Sequence, residues 1–234
     1  SPFRGRKVAS FVDQRVEPSR LSARVVAAGS PPRLFGYDVE GDLARHYGFS
    51  DTVALLLGGD LAEPEKVRAI EVALIFLSPV SVAEAPAHAG LLSRICGAPF
   101  SATLAIATIA LSEEAAFTLE EHREWLTWLS TGDYSEPPAR FVTQGTEDSG
   151  VLERLAAALP PGFAARALAV RPKRTAAVLA VLHTAGLSPE AMQTYWVVAR
   201  LPAVAAEAAA TRLLGMKEYP FNLPPLDYRE EEEE

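Results

Sequence analysis

Between Val39 and Gly215 the chain is a succession of apolar segments whose hydrophobic residues recur every three or four positions, and almost nothing alternates with period two. That pattern predicts an essentially all-α fold. Its punctuation sets the helix ends. "SDTVALLLGG" opens on Ser50 or Asp51 as N-cap and closes on Gly58 and Gly59, and "EPEKVRAIEVALIFLS" carries Pro64 in its first turn beside Glu63 and Glu65. Two apolar helices flank Gly97, and the second, "APFSATLAIATIALSEEA", is rich enough in small residues for another helix to approach its backbone closely. "LEEHREWLTWLS", "RTAAVLAVLHTAG" and "SPEAMQTYWVVARLPAVAAEAAATRLLG" follow as further helices. Residues 130–150 read as a mobile loop, and "SARVVAAGSPPRLFGYD" near the start as a short extended segment or hairpin.

Composition narrows the function classes. With 234 residues, 49% of them hydrophobic, the chain can bury a sizeable core, as one domain or as a large lobe with a smaller one. No uninterrupted apolar run approaches the ~20 residues a membrane span needs, and the start lacks a hydrophobic signal region, so a cytoplasmic protein with no membrane partner is expected. The net charge of −8 is concentrated in the terminal run of Glu230 and Glu231 to Glu234, expected to be solvated, and no basic stripe suggests a nucleic-acid partner. The one cysteine, Cys96, excludes an intrachain disulfide and a thiolate metal cluster, and is expected to be a small buried hydrophobe.

Local chemistry is sparse. His46, His88, His122 and His183 contain no i, i+4 pair with a third ligand, so no metal site is expected. His46, His122 and His183 fall at helix borders, whereas His88, in "APAHAG", is flanked by small residues and is a weak ligand candidate. Glu113 and Glu114 read as a solvated face or a carboxylate pair, and Trp125 and Trp128 as core. Arg200 stands in an apolar, alanine-rich stretch with no carboxylate until Glu207. Two roles fit it: a helix residue snorkelling its charge into water, or a cation held for an anionic ligand.

A resemblance gives the second role a definite form. "RLFGYDVEGDLARHYGFSDTVALLLGGDLAEPE", residues 33–65, resembles the opening of a citrate synthase, with Gly36, Tyr37, Asp38 and Val39, then Leu43 and Ala44, Phe49, Val53 to Leu57 and Gly59 to Leu61 in the family's order and spacing. Gly97, Ala98, Ala110 and Leu111 keep the spacing of a second family segment, and residues 175–207 are similar to a third. The resemblance implies a shortened, divergent member: an all-α homodimer with a large helical domain, residues 1–111 plus 200–234, and a reduced small domain, residues 112–199. The family closes over oxaloacetate and acetyl-CoA and uses two histidines and an aspartate to move protons, groups for which non-ionisable side chains cannot substitute.

Counted along the same spacing, those groups are missing. The enol-stabilising histidine falls on Ala116, in "SEEAAF", and the base aspartate on Thr175. No counterpart of the second histidine stands between them, and a histidine that helps bind oxaloacetate counts to Ser81. The closing "PFNLPPLDY" matches through Pro224 and Tyr228, with Leu223 where the family supplies an arginine across the dimer. In the last helix the family's Gly-Trp and His are Ala203, Val204 and Glu207, while Arg200 keeps the place of the arginine that holds a substrate carboxylate. The resulting expectation is a non-catalytic homologue with a binding or regulatory role. Its ligand would be a carboxylate or CoA, with a CoA thioester as cofactor by resemblance only, and its partner a second copy, another protein or a catalytic paralogue. The alternative is an acyl-CoA condensing enzyme or citryl-CoA lyase whose site is rebuilt from Glu113, Glu114, His88, His122 and Glu207.

Overall fold

The computed structural model describes residues 23–27, 29–143 and 149–210. The expected tail match at Leu223, Pro224 and Tyr228 and the terminal glutamate run lie outside the described residues, as does most of the segment before Arg24. Two compact units meet in sequence between Asp60 and Leu61.

In the first unit, the expected hairpin is present as three two-residue antiparallel strands, β1 (Val26–Ala27), β2 (Arg33–Leu34) and β3 (Tyr37–Asp38), with Val26 opposite Leu34 and Arg33 opposite Asp38. Asp38 then caps a π-helical turn, Val39–Leu43, by accepting the N–H groups of Glu40 and Gly41 at 3.0 and 2.7 Å. A single turn, α1 (Ala44–His46), leads into α2 (Phe49–Gly58). The N-cap of α2 is Gly48, not Ser50 or Asp51: the Asp51 carboxylate, three residues inside, accepts the Gly48 N–H at 2.8 Å and so serves the helix start from within. Gly59, at φ +84°, ends the helix in the left-handed conformation glycine tolerates.

The second unit holds α3 (Pro64–Leu77), α4 (Ala85–Ile95), α5 (Phe100–Glu121), α6 (Arg123–Thr131), α7 (Ser149–Ala158), α8 (Ala165–Ala169), α9 (Arg174–Thr184) and α10 (Pro189–Ala210). At its centre α9 is buried without a break from Ala176 to Leu182, which is why its sequence is apolar on every side. Along one flank α4, α5 and α10 pack around Ala87, Leu91, Ala107, Leu111 and Val204. The approach is close enough that a Cβ on Gly90 would lie 3.3 Å from Val204 and 3.5 Å from Ala107. Gly90 is therefore a point of close helix approach, where the side chains of Ala107 and Val204 reach the α4 backbone.

Three expectations are corrected here. Residues 98–131 form two helices joined at His122, the first reaching Glu121 rather than stopping near Ala115, because no Gly or Pro interrupts residues 100–131. By length and mean hydropathy, 1.3, α5 is also apolar enough to cross a membrane, with 22% of that stretch buried in the fold; Ala107 and Leu111 of its buried stripe pack with α4 and α10. Cys96 is exposed, since it follows Ile95 at the point where α4 ends and the chain turns through Gly97. Part of the expected loop has local order as well: Ala139–Phe141 is a 3-10 turn, and Val142 bridges to Pro172.

Candidate functional site

A concavity of the second unit, about 1090 Å³, opens beside Arg200. Its walls come from the end of α3 and the loop after it, the C-terminal half of α5, the start of α9 and the cavity face of α10.

Arg200 is 7% exposed, so the snorkelling role is excluded. Each of its nitrogens meets a group of this chain. Nη1 donates to the Leu77 carbonyl at 3.2 Å, Nη2 donates to Glu84 Oε2, and Nε lies 3.1 Å from Glu114 Oε2, an ion-pair separation off hydrogen-bond geometry. That same Glu114 oxygen accepts the Trp196 indole N–H at 2.9 Å, and the guanidinium stands 5.4 Å from the Trp196 ring. Burying a guanidinium is costly unless its charge and hydrogen bonds are answered; here the Leu77 carbonyl and Glu84 accept from the two terminal nitrogens and Glu114 answers the charge, while Nε is left without a hydrogen-bond acceptor among the described residues. The carbonyl has a local cause. The last carbonyls of α3 lack helical partners, and cations gather there: Arg200 at Leu77, and Arg174 donating to Phe76 at 2.8 Å.

Several residues singled out in the sequence meet in this cavity. Arg200, Glu114, His122, Thr175, Ser81, Ala203 and Glu207 all line it. Thr175 offers a hydroxyl where the resemblance calls for a base, and an unassisted threonine does not take up a proton near neutral pH. Ala116 is not in the cavity. It borders a separate shallow groove with Gln193 and Pro189, because α5 continues as regular helix through this position. Val204 belongs to the apolar cluster instead of the wall. Neither His88 nor Glu113 lines the cavity: His88 lies one turn after Glu84 on α4, and Glu113 is solvent-exposed.

His122 reaches the cavity because α5 is long. Its ring Nδ1 lies 2.8 Å from the Thr118 carbonyl, the ring packs 4.9 Å from Phe141, and burial holds its pKa below the usual histidine value, against the opposite pull of the Thr118 carbonyl and Glu121. The neutral ring is favoured, with Nδ1–H donating to Thr118 and Nε2 left as an acceptor. Four wall residues, Glu84, Glu121, Arg174 and Trp196, escaped sequence reasoning. Glu84 gave no signal, since its partner is distant in the chain, and Arg174 could be anticipated only as a cation at the start of a helix.

The wall therefore carries four carboxylates, Glu84, Glu114, Glu121 and Glu207, against two guanidiniums, Arg174 and Arg200. A polyanionic ligand would be offset only if some of these carboxylates moved or were neutralised.

The sequence matches no protein-family model and no curated protein. The structure does match solved ones. Citryl-CoA lyase from Hydrogenobacter thermophilus superposes with a TM-score of 0.54 at 15% identity, over 89% of this chain and 97% of that one. ATP citrate lyase from Methanothrix soehngenii, in complex with citrate and coenzyme A, gives 0.56 at 13% identity, and that of Methanosaeta concilii, with (3S)-citryl-CoA, gives 0.55 at 13%. Each covers 92% of this chain, which spans 43% of either ATP citrate lyase chain. The chain thus shares with these structures a citrate-synthase-like helical fold.

Proposed function

We propose that this protein is a non-catalytic citrate-synthase-like protein that acts by binding a carboxylate-bearing ligand in the cavity beside Arg200. The observation that carries this reading is the makeup of the wall: Arg200 lines it, while the positions that the resemblance assigns to acid and base are Ala116, which lies outside the cavity, and Thr175. A buried arginine can clamp a carboxylate through parallel N–H···O bonds, but it cannot move the proton that condensation or cleavage requires.

A second reading has its own support. His122, Glu121, Glu207 and Thr175 share the cavity, and the match to a citryl-CoA lyase of the same fold covers 97% of that chain. On that reading His122 Nε2 would be the proton acceptor of a rebuilt cleavage site.

Purified protein incubated with citryl-CoA, and separately with oxaloacetate and acetyl-CoA, separates the two. Thiol release and product mass should stay at the protein-free rate. Turnover that disappears in His122→Gln would establish the second reading.

A further inference from the structure

The two carboxylates on Arg200 are not equivalent. Glu114 sits within α5, is 25% exposed, and is held twice, by the Trp196 indole and by the guanidinium. Glu84 directly precedes α4 at the end of a loop and is 37% exposed. Its Oε1 accepts the Ser81 N–H at 2.6 Å and its Oε2 takes Arg200 Nη2. The loop thus closes on itself through the same side chain that covers the arginine, and Ser81 and Glu84 both face the cavity.

We propose that Glu84 is an internal competitor for the ligand: it holds the outer edge of the Arg200 guanidinium, and a ligand carboxylate binds by displacing it into solvent. This rests on reading the cavity as a carboxylate site. The displacement asks little of the fold. A side-chain rotation releases one charge-assisted hydrogen bond and one loop hydrogen bond, and no helix has to move. Glu114 cannot leave as readily, because its departure would also strand the Trp196 N–H.

Electrostatics favours exchange over addition. With four carboxylates already on the wall, a ligand carboxylate added beside Glu84 would raise like-charge repulsion at a buried cation, whereas one that replaces Glu84 exchanges one carboxylate for another on that guanidinium and lowers the repulsion felt by the rest of the ligand. The cost appears in affinity. A site that is competent only while Glu84 is displaced binds more weakly by that fraction, so removing the competitor should tighten binding. Glu84 thereby sets the affinity threshold of the cavity, without touching the ligand once it is bound.

Calorimetric titration of the full chain with citrate tests this. Glu84→Gln, which keeps an acceptor for Ser81 but no charge, and Glu84→Asp, too short to span both partners, should each bind citrate roughly tenfold or more tightly than the wild type. Adding Arg200→Met to Glu84→Gln should remove the gain. If Glu84→Gln lowers the melting temperature enough to compromise the fold, Glu84→Asp, which preserves the charge, carries the test. Binding that Arg200→Met abolishes but neither Glu84 variant tightens would overturn the competitor and leave the carboxylate site standing. If no variant binds citrate at all, both fall.

Discussion

Trp125 and Arg200 are both long, buried side chains with N–H groups to satisfy, and they are satisfied in opposite ways. Trp125 is fully buried, donates to the Ala176 carbonyl at 2.9 Å across to α9, and stacks 4.7 Å from Trp128. Its partner is backbone, fixed by the helix that carries it. Arg200 relies for its charge on two side chains, one of them more than a third exposed. The first arrangement is stable because nothing in it can leave. The second can exchange one partner for another, and a buried cation with an exchangeable anion is what a binding site needs.

The contrast can be broken most forcefully at Trp125. Trp125→Ala removes a filled volume, an aromatic stack and a hydrogen bond at the α6–α9 contact, and should cost about 3–5 kcal/mol in denaturant unfolding. A loss below about 1 kcal/mol would show that the apolar half is not held as described. Arg200→Met keeps much of the stem volume but leaves Glu114 and the Leu77 carbonyl without the cation; the expected loss is smaller, about 1–3 kcal/mol, since both carboxylates reach solvent. The same variant should lose citrate binding, which Trp125 variants that stay folded should retain.

The smallest effect is the pH dependence of His122. Burial lowers its folded pKa below the unfolded value near 6.5, so between the two the unfolded chain binds more protons. Stability is therefore lost as pH falls through about 6.5, and His183, lowered by burial beside Ser130, adds in the same sense. In thermal melts from about pH 7.5 to about pH 5, His122→Gln should fall less steeply than wild type. Parallel slopes would remove His122 from the acid response.

Much of the scaffold was legible because its ends are marked: Gly59 closes α2, Pro64 opens α3, and the apolar period of residues 174–184 reads directly as the buried α9. Arg200 was legible as an anomaly, a lone cation in an alanine-rich helix. What answers it was not. Glu84 and Glu114 stand 116 and 86 positions away, and such pairing follows from helix packing, which local periodicity does not encode. His122 fell between the two kinds of signal. The resemblance directs attention to Ala116, but no Gly or Pro follows Leu111 before the end of α5, so the helix runs on and delivers a different histidine to the cavity. The uninterrupted composition of residues 100–131 was the available clue. The domain limits at 111/112 and 199/200 fall within the continuous helices α5 and α10, which hydrophobic pattern alone does not divide.

The most direct measurement is a crystal structure of the protein grown with citrate and inspected at Arg200. The account predicts intact citrate in the cavity, one carboxylate on the guanidinium, Glu84 turned away from it, and Glu114 still accepting the Trp196 N–H. Citrate bound elsewhere, with Glu84 unmoved on Arg200, would contradict it.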